Sequence, residues 1–401
     1  MNRSFFPRVP LAVPYWTRET YRDILRCLIS GRVIDGPQLG TLRAQIVEQL
    51  GVADALLCGS GSLAIELALR ACDVREGDEV VLPTFCCSAV VAPVLAVGAT
   101  PVLADCGGEL NLTVATVQAA LTQKTKAIIV PHLFGNPAPI VAIIELVRGR
   151  NIRVIDDAAQ ALGATIDGQP VGSFGDAGVL SFGAEKICFG LGGGALLSRR
   201  EECIQLNSQV SLSAPNFGSE LTNFLSTFTW RCLRRWTWPL KSLLASKSPD
   251  SPPAAYRRQA ISHLAAVVAA SLLRTLVDNI SARRASMGLY RELLKNDSRI
   301  ELIAHGAGSA CLTQVIRVLP GHRDDDGAAR VIAALRAACY EVQGSYVPIH
   351  LMSSFQDCVW DRLPYADRVW ADLVELPCEP SVSLAEVERI AAIVKNVAAK
   401  I

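Results

Sequence analysis

The sequence has no surplus of charge of either sign, and it has no apolar run long enough to cross a bilayer. Its 39 Lys and Arg residues are matched by 38 Asp and Glu residues, which leaves a formal net charge of +1. This balance argues against an acidic or basic polymer as partner, so nucleic acid is not expected. The longest apolar runs, 89–104 and 264–273, contain proline and glycine or fall well short of the ~20 residues that a membrane-spanning helix needs. No transmembrane segment is predicted.

A Cys-x-x-Cys pair is also missing, although the chain has 13 cysteines. They are scattered and lie mostly inside apolar runs, so we interpret them as reduced, buried side chains rather than as a disulfide framework or a zinc site. No metal is expected. Residues 1–16 contain prolines and arginines but no continuous apolar core of a signal peptide. A cytoplasmic location is therefore expected.

Short β-rich runs alternate with helical patterns in the first 160 of the 401 residues. Strands are predicted at 55–58, 79–82, 101–104, 127–131 and 153–156, with helices at 63–72, 89–97, 114–121 and 141–148 between them. This alternation predicts an α/β fold with a mostly parallel, doubly wound central sheet and helices on both faces. In such sheets, ligands bind outside the carboxyl ends of the strands.

The remainder of the chain is predicted to complete this domain and to add a smaller one. Helices are expected at 18–28, 37–50 and 261–294, and two strands at 177–182 and 195–198. A strand at 311–318 and helices at 327–340 and 384–400 predict a small C-terminal α/β domain. We place the large, ligand-binding domain at 1–285, with a Trp- and Arg-rich insertion at about 220–255, and the small domain at 286–401.

Lys186 is the first candidate for chemistry. It follows a short apolar run, with the Ser181 hydroxyl five residues before it and three consecutive glycines, 192–194, after it. A lysine that is to form a Schiff base must be partly desolvated and held on a tight turn, and glycines let a backbone approach a flat cofactor. Taken alone, a surface lysine on a glycine-rich bend is the simpler interpretation.

Two further motifs lie at predicted strand ends. Ser60-Gly61-Ser62 opens a helix, where free backbone N–H groups bind phosphate, although Ser60 is equally an ordinary N-cap. Asp156 and Asp157 follow the fifth strand, where a buried carboxylate needs a cation or a protonated ring nitrogen, although a helix N-cap is the alternative. A phosphate cradle, a buried acid and a reactive lysine in this order are what pyridoxal phosphate requires.

These motifs resemble those of the nucleotide-sugar aminotransferases of the DegT and StrS type, which have the aspartate-aminotransferase fold. The resemblance covers most of the chain. The matching segments are SGRVIDGP at 30–37, the 60–64 turn, GDEVVLP at 77–83, GATPV at 98–102, HLFGNP at 132–137, IDDAAQ at 155–160, Ser181-Phe182 with Lys186 and the glycine run, PIHL at 348–351 and ELP at 375–377.

The resemblance implies a role for each matched residue. Lys186 would be the Schiff-base lysine and the proton shuttle. Asp157 would bond the pyridine nitrogen of pyridoxal 5'-phosphate, and Gln160 would lie beside its phenolic oxygen or ring face.

Ser181 and the N–H groups of Gly61 and Ser62 would hold the cofactor phosphate. The resemblance further implies a homodimer with a shared active site. It also implies an amino donor, glutamate or glutamine, and a nucleotide-linked keto sugar as acceptor.

The sequence departs from the family pattern at three places. Cys87 stands where an aromatic residue usually stacks on the pyridine ring, with Phe85 two residues earlier. The segment 257–261 stands where the family has an Asn-x-Arg-Met-type segment that reaches the neighbouring subunit's cofactor phosphate. The usual contact is missing, and Arg258 is the candidate that replaces it. The residues after Lys186, Ile-Cys-Phe, are unusually apolar.

Two alternatives remain open at this point. One is a dehydratase of the same family, a branch in which histidine replaces the lysine, so Lys186 argues against it. The other is a cofactor-binding regulatory or structural homologue that has lost turnover, which the departures favour.

Residues outside the core motifs also allow two interpretations. His132 and His350 are candidates for acid–base chemistry or substrate contact, but a structural role is favoured. The stretch 228–243, rich in Trp and Arg, is either a weak anchor at a membrane surface or a packed insertion at a subunit or substrate interface.

Overall fold

The computed structural model describes residues 9, 12–199, 210–234, 256–319 and 326–400. The strands are β1 (Asp54–Cys58), β2 (Glu79–Pro83), β3 (Thr100–Ala104), β4 (Thr125–Pro131), β5 (Arg153–Asp157), β6 (Thr165–Ile166), β7 (Gln169–Pro170), β8 (Ala177–Ser181), β9 (Gly194–Ser198), β10 (Ile300–Leu302), β11 (Thr313–Val318), β12 (Gln343–Gly344) and β13 (Leu373–Pro377).

The α-helices alternate with these strands in the first half of the chain, and, among the described residues, three further helices lie in sequence between the strands of the two sheets. They are α1 (Arg18–Ile29), α2 (Gln38–Leu50), α3 (Gly61–Ala71), α4 (Val91–Ala96), α5 (Val114–Ala120), α6 (Ile140–Leu146), α7 (Phe217–Thr227), α8 (His263–Arg274), α9 (Leu276–Leu294), α10 (Gly327–Ala337), α11 (Pro364–Val369) and α12 (Leu384–Ala398).

The central sheet has seven strands in the order β1-β9-β8-β5-β4-β2-β3. Strands β8, β5, β4, β2 and β3 are parallel neighbours, whereas β9 is antiparallel to both β8 and β1. The predicted mostly parallel α/β sheet is therefore confirmed. Because β1 runs in the same direction as the parallel strands, six strands present their carboxyl ends at one edge. That edge carries the candidate site.

The strands of this sheet carry apolar side chains on both faces, and helices therefore cover both faces. Leu82, Ile155 and Val179 pack on one face, in a cluster that includes residues of α3 and α4. On the other face, Leu180 packs among residues of α1, α2 and α8, and Val81 among residues of α5 and α6.

The helical region predicted at 261–294 is divided into two helices by one break. Two helices, α8 and α9, meet there at 61°. Thr275 caps both, and its φ of −105° and ψ of 11° interrupt the helical backbone. In the part of the chain that the structure describes, no single helix is long and apolar enough to span a membrane, and this bent pair meets that test by length and composition alone.

A second sheet of four antiparallel strands, β10-β11-β13-β12, lies in the C-terminal part of the chain. Its core includes Ile316, Val374 and Leu376 and residues of α9, α10 and α12. The sequence predicted β11, α10 and α12 but missed β13 and the short strands β10 and β12. The division at residue 285 stays a prediction.

Candidate active site

The glycines of the predicted motifs let three chain segments meet at the carboxyl edge of the sheet. A Cβ on Gly61, at the start of α3, would lie 2.8 Å from the Ser181 Cβ and 3.0 Å from its Oγ. A Cβ on Gly194 would lie 2.6 Å from the Ser60 carbonyl carbon. Because glycine has no side chain, Gly61 can lie against Ser181, and Gly194 can lie against the Ser60 backbone.

The N-terminus of α3 is the candidate phosphate cradle. The Ser60 hydroxyl accepts a hydrogen bond from Leu63 N–H at 3.1 Å, so Ser60 is an N-cap, as the simpler interpretation held. The Ser62 hydroxyl donates to the Ala89 carbonyl at 3.4 Å. The backbone N–H groups of Gly61 and Ser62 belong to the first turn of the helix, where no intrahelical acceptor exists. They remain suited to an anion.

The two neighbouring acids at the end of β5 have different surroundings, because consecutive strand side chains point to opposite faces. Asp156 is fully buried; its Oδ1 accepts from His132 Nε2 at 2.7 Å and its Oδ2 from Phe174 N–H at 2.9 Å. The Ala138 N–H donates to His132 Nδ1 at 2.8 Å, which places the ring hydrogen on Nε2. Asp156 and His132 therefore have a structural role.

Asp157 is only 4% exposed, and its Oδ1 accepts a hydrogen bond from Ala159 N–H at 3.0 Å. Burial raises the pKa of this carboxyl, while the Ala159 N–H and the charge of Lys186 oppose the rise. A buried acid with so little compensation suits a cationic ring nitrogen.

Lys186 lies in the loop between β8 and β9, and side chains from distant elements hold this loop. Asn279 Nδ2 donates to the Ile187 carbonyl at 3.1 Å, and Trp16 Nε1 donates to the Phe189 carbonyl at 2.9 Å. Asn223 Nδ2 donates to the Leu191 carbonyl at 2.6 Å. Lys186 is partly buried, as a reactive lysine requires.

The apolar residues after Lys186 have a packing explanation. Ile187, Cys188 and Phe189 are all at most 5% exposed, and Ile187 and Cys188 belong to the core cluster shared with Trp16 and Leu264. These apolar residues, which depart from the family pattern, therefore anchor the Lys186 loop in the core.

The first described residues of the Trp- and Arg-rich insertion also contact this loop. Arg231 Nη2 donates to Glu185 Oε1 at 3.2 Å, and its guanidinium lies 5.8 Å from the centre of the Phe189 ring. Tyr21 of α1 meets the Phe228 ring at 6.3 Å. These contacts support the packed-insertion interpretation for 228–234, whereas 235–243 lie outside the described residues.

Gln160 is buried, and both ends of its amide are engaged. Its Oε1 accepts from Phe134 N–H at 3.1 Å, and its Nε2 donates to the Tyr346 hydroxyl at 3.1 Å. The Tyr346 ring stacks on Phe134 at 5.8 Å and meets Phe85 edge-on at 6.0 Å. Phe85 is fully buried in this cluster and Cys87 is partly exposed. The sequence did not identify Tyr346, although it stands two residues before a matched motif.

Arg258 is paired within its own chain. It forms an ion pair with buried Glu66, to which Tyr256 and Arg70 also donate, each at 2.8 Å. This pairing gives no support to a phosphate contact. His350 bonds to Thr84 and Asp367, each at 2.7 Å, in keeping with a structural role.

The structure adds residues of the C-terminal part that sequence reasoning missed. A cavity of about 100 Å³ is lined by Lys186, Gln160, Glu185 and Tyr346, among other residues. The further polar and charged lining residues are Arg283, Thr313, Gln343, Glu375 and Glu379. They come from four elements and one loop, and only Glu375 lies in a matched motif, to which the sequence assigned no role.

The residues at the sheet edge fit pyridoxal phosphate. The buried Asp157 has spare acceptor capacity for the ring nitrogen, and the close approach of Gly61 to Ser181 leaves a backbone cradle for the phosphate. Lys186 is near enough to Asp157 to oppose its pKa rise. Within the described residues, no group of three or more His, Cys, Asp or Glu side chains could hold a metal ion.

Two curated relatives are similar over nearly the whole chain. The UDP-N-acetyl-3-dehydro-alpha-D-glucosamine 3-aminotransferase of Acidithiobacillus ferrooxidans is 31% identical over 373 residues, which are 91% of this chain and 92% of that protein. The GDP-perosamine synthase of Caulobacter vibrioides is 26% identical over 400 residues, 98% of this chain and 99% of the relative.

Solved structures share the fold. The aminotransferase TlmJ of Streptoalloteichus hindustanus has a TM-score of 0.78 at 25% identity and covers 98% of this chain and 99% of its own. The aminotransferase PseC of Helicobacter pylori has a TM-score of 0.81 at 18% identity, over 98% of this chain and all of its own, which shows the fold alone.

A family model matches residues 14–395. Together with the relative from Acidithiobacillus, this match extends over the sheet edge, the Lys186 loop and the C-terminal sheet. The chain therefore belongs to the DegT/DnrJ/EryC1/StrS aminotransferase family and is an aminotransferase that depends on pyridoxal phosphate.

Proposed function

We propose that this enzyme moves an amino group from glutamate or glutamine to a keto sugar linked to a nucleotide, in the biosynthesis of a cell-surface polysaccharide or a secondary metabolite. The observation that carries the proposal is that Lys186 and the buried Asp157 lie at one edge of the sheet, with Gly61 and Ser181 beside them. The names of the two curated relatives, which refer to UDP- and GDP-linked sugars, support the choice of substrate.

Each of these residues has a defined part in the proposal. Bound pyridoxal phosphate supplies an electron sink, which eases loss of a proton from the carbon that carries the amine. Lys186 Nζ would carry that proton between the substrate carbon and the imine carbon of the cofactor. Asp157 holds a proton at the pyridine nitrogen, and Gln160 holds the Tyr346 hydroxyl. The N–H groups of Gly61 and Ser62 and the Ser181 hydroxyl bind the phosphate.

The proposal extends to the assembly and location of the protein. We propose a cytoplasmic homodimer with its active site between subunits, and a division of each chain into a cofactor-binding part, 1–285, and a small part, 286–401. The two separate sheets, each with its own core cluster, support that division. Weak association of 228–243 with a membrane surface stays a prediction based on the Trp and Arg residues of this stretch.

Visible absorbance tests the function. We expect the purified protein to show the band of a lysine-bound cofactor, and we expect glutamate or glutamine to bleach it. A protein without this band, or a Lys186→Ala variant that keeps it unchanged, would contradict the proposal. The first of these results would favour a regulatory homologue that does not turn over substrate.

A further inference from the structure

The lining of the Lys186 cavity contains three carboxyl groups. Glu375 of β13 and Glu379, which follows this strand, line the cavity together with Glu185. The cations that line it, among the described residues, are Lys186 and Arg283. Glu185 forms an ion pair with Arg231, so Glu375 and Glu379 are the two lining acids without an ion pair in the described part of the chain.

The two cations already have partners. The Arg283 side chain is buried; its Nε donates to Asn279 Oδ1 at 2.7 Å and its Nη1 to the Leu312 carbonyl at 2.7 Å. Its charge also acts on Glu379. Lys186 acts on Asp157 on the cofactor side.

The two acids of the C-terminal wall are incompletely compensated. Glu375 accepts hydrogen bonds from two neutral donors, Gln343 Nε2 at 3.3 Å and Ser345 Oγ at 3.0 Å. The Oε2 atom of Glu379 is buried and has no hydrogen-bond partner in the described part of the chain. A buried carboxylate oxygen without a partner is costly, so such a site gains free energy when a cation binds.

We propose that Glu375 and Glu379 form a subsite for an ammonium group, so that the enzyme acts on a substrate that carries a second amino group besides the one it transfers. The inference rests on the proposed aminotransferase function and narrows its substrate. A glutamate donor must therefore bind with its side-chain carboxylate away from these two acids, where it avoids like charges. The ammonium group belongs either to the amino donor or to the sugar.

Paired ligands distinguish these two sources in the wild-type holoenzyme. L-ornithine and L-norvaline share a carbon chain, but L-ornithine alone has a side-chain amine, and both are titrated by the change in cofactor absorbance. UDP-glucosamine and UDP-N-acetylglucosamine differ by the acetyl group on the amine, and their binding is measured by calorimetry. Burial raises the pKa of Glu375 to about 7, so the titrations are run at about pH 8, where this carboxyl is ionised.

We expect one of the two pairs to show a preference of about tenfold in dissociation constant for the ligand with the free amine, as is typical of a hydrogen bond to a charged group. Which pair shows it identifies the source. Equal dissociation constants within both pairs would overturn the proposal.

Two variants test whether Glu375 and Glu379 cause the preference for the ligand with the free amine. Glu375→Gln and Glu379→Gln each keep the shape of the side chain but remove its charge, and we expect each to reduce the preference to below about threefold, since a charged partner has become a neutral one. Glu388→Gln, an exposed position on α12, is the matched control and should keep the wild-type preference. A preference that survives in both variants would overturn the assignment, and a variant that fails to fold leaves the wild-type titrations decisive.

The ammonium subsite and the aminotransferase function are contradicted by different results. A holoenzyme that shows the cofactor band and binds both ligands of each pair equally would overturn the ammonium subsite and leave the aminotransferase function intact. A protein without the band would contradict the proposed function itself.

Discussion

The two sides of the Lys186 site are built differently. On the cofactor side, Gly61, Asp157 and Ser181 come from strand ends and turns in the first half of the chain. On the substrate side, Glu375, Glu379 and Arg283 come from the C-terminal sheet and from α9. The cofactor is a fixed chemical group, which requires particular side chains at particular strand ends. The substrate side has no such constraint, so its residues do not form a local pattern.

Substitution of Asp157, the acid on the cofactor side, should have the largest effect on catalysis. Asp157→Asn should lower kcat by roughly 10²–10³-fold, comparable to the loss of one preorganised charge at a reacting centre. The expected signature is a retained cofactor band with slow amino transfer in single-turnover absorbance. A variant with wild-type kcat would show that Asp157 has no part in the chemistry.

The neighbouring acid should act on stability instead. Asp156→Ala leaves the His132 Nε2–H and the Phe174 N–H without an acceptor, so we expect a loss of ~3 kcal/mol in the free energy of unfolding. Urea denaturation followed by circular dichroism measures it, and kcat per folded molecule should stay near that of the wild type. An equal loss of kcat in both Asp variants would remove the distinction between the two acids.

A pH-dependent effect is expected on the substrate side. Burial raises the pKa of Glu375 from 4.5 to about 7 in the folded chain, so the unfolded chain ionises first and the fold loses stability as pH rises through this interval. Relative to the wild type, Glu375→Gln should therefore be more stable by ~2 kcal/mol at about pH 8.5, with little of this gain at about pH 4. The free energy of unfolding of both proteins is measured at both pH values. Any effect of the substitution that does not depend on pH cancels when the two stability changes are subtracted.

A steric change tests the cradle on the cofactor side. Gly61→Ala places a methyl group against Ser181, and we expect the dissociation constant of pyridoxal phosphate to rise by roughly tenfold, or ~1.4 kcal/mol. Gly40→Ala is the matched control, because a Cβ there meets nothing within 4 Å and alanine favours the helix α2. An unchanged cofactor affinity in Gly61→Ala would argue against a phosphate at this turn.

The smallest effect is expected where the insertion meets the loop. Arg231→Gln removes a partly exposed ion pair with Glu185, so we expect kcat/KM to fall by only about threefold, in line with ~0.5 kcal/mol for such pairs. Steady-state kinetics at low and high salt measure it, and the difference from the wild type should shrink in salt. A much larger loss would show that the insertion controls the position of Lys186.

The sequence predicted the central sheet because its strands are buried on both faces and are separated by turn residues. It did not predict the break at Thr275, since the apolar pattern continues through α8 and into α9. In the C-terminal sheet, β10 and β12 have three and two residues, too few for a periodic pattern.

For the site, the motifs identified Lys186, Asp157 and Ser181, whose roles stay predictions. The roles of Asp156 and Tyr346 depend on contacts between segments far apart in the chain. The hydrogen bond from Gln160 to Tyr346, for example, joins residues 186 positions apart. Such a contact is a property of the folded chain, so spacing in the sequence does not reveal it.

The adjacent acids at the end of β5 have a consequence for how this enzyme tolerates change in length. Because side chains alternate along a strand, inserting or deleting one residue in Arg153–Asp157 would exchange the two carboxyl groups between the His132 face and the cofactor face. The composition of the strand would hardly alter, yet its two functions would be transposed. Single-residue indels in β5 should therefore impair both stability and amino transfer, whereas substitution of one acid impairs mainly one of them, a difference that deep mutational scanning with length variants can reveal.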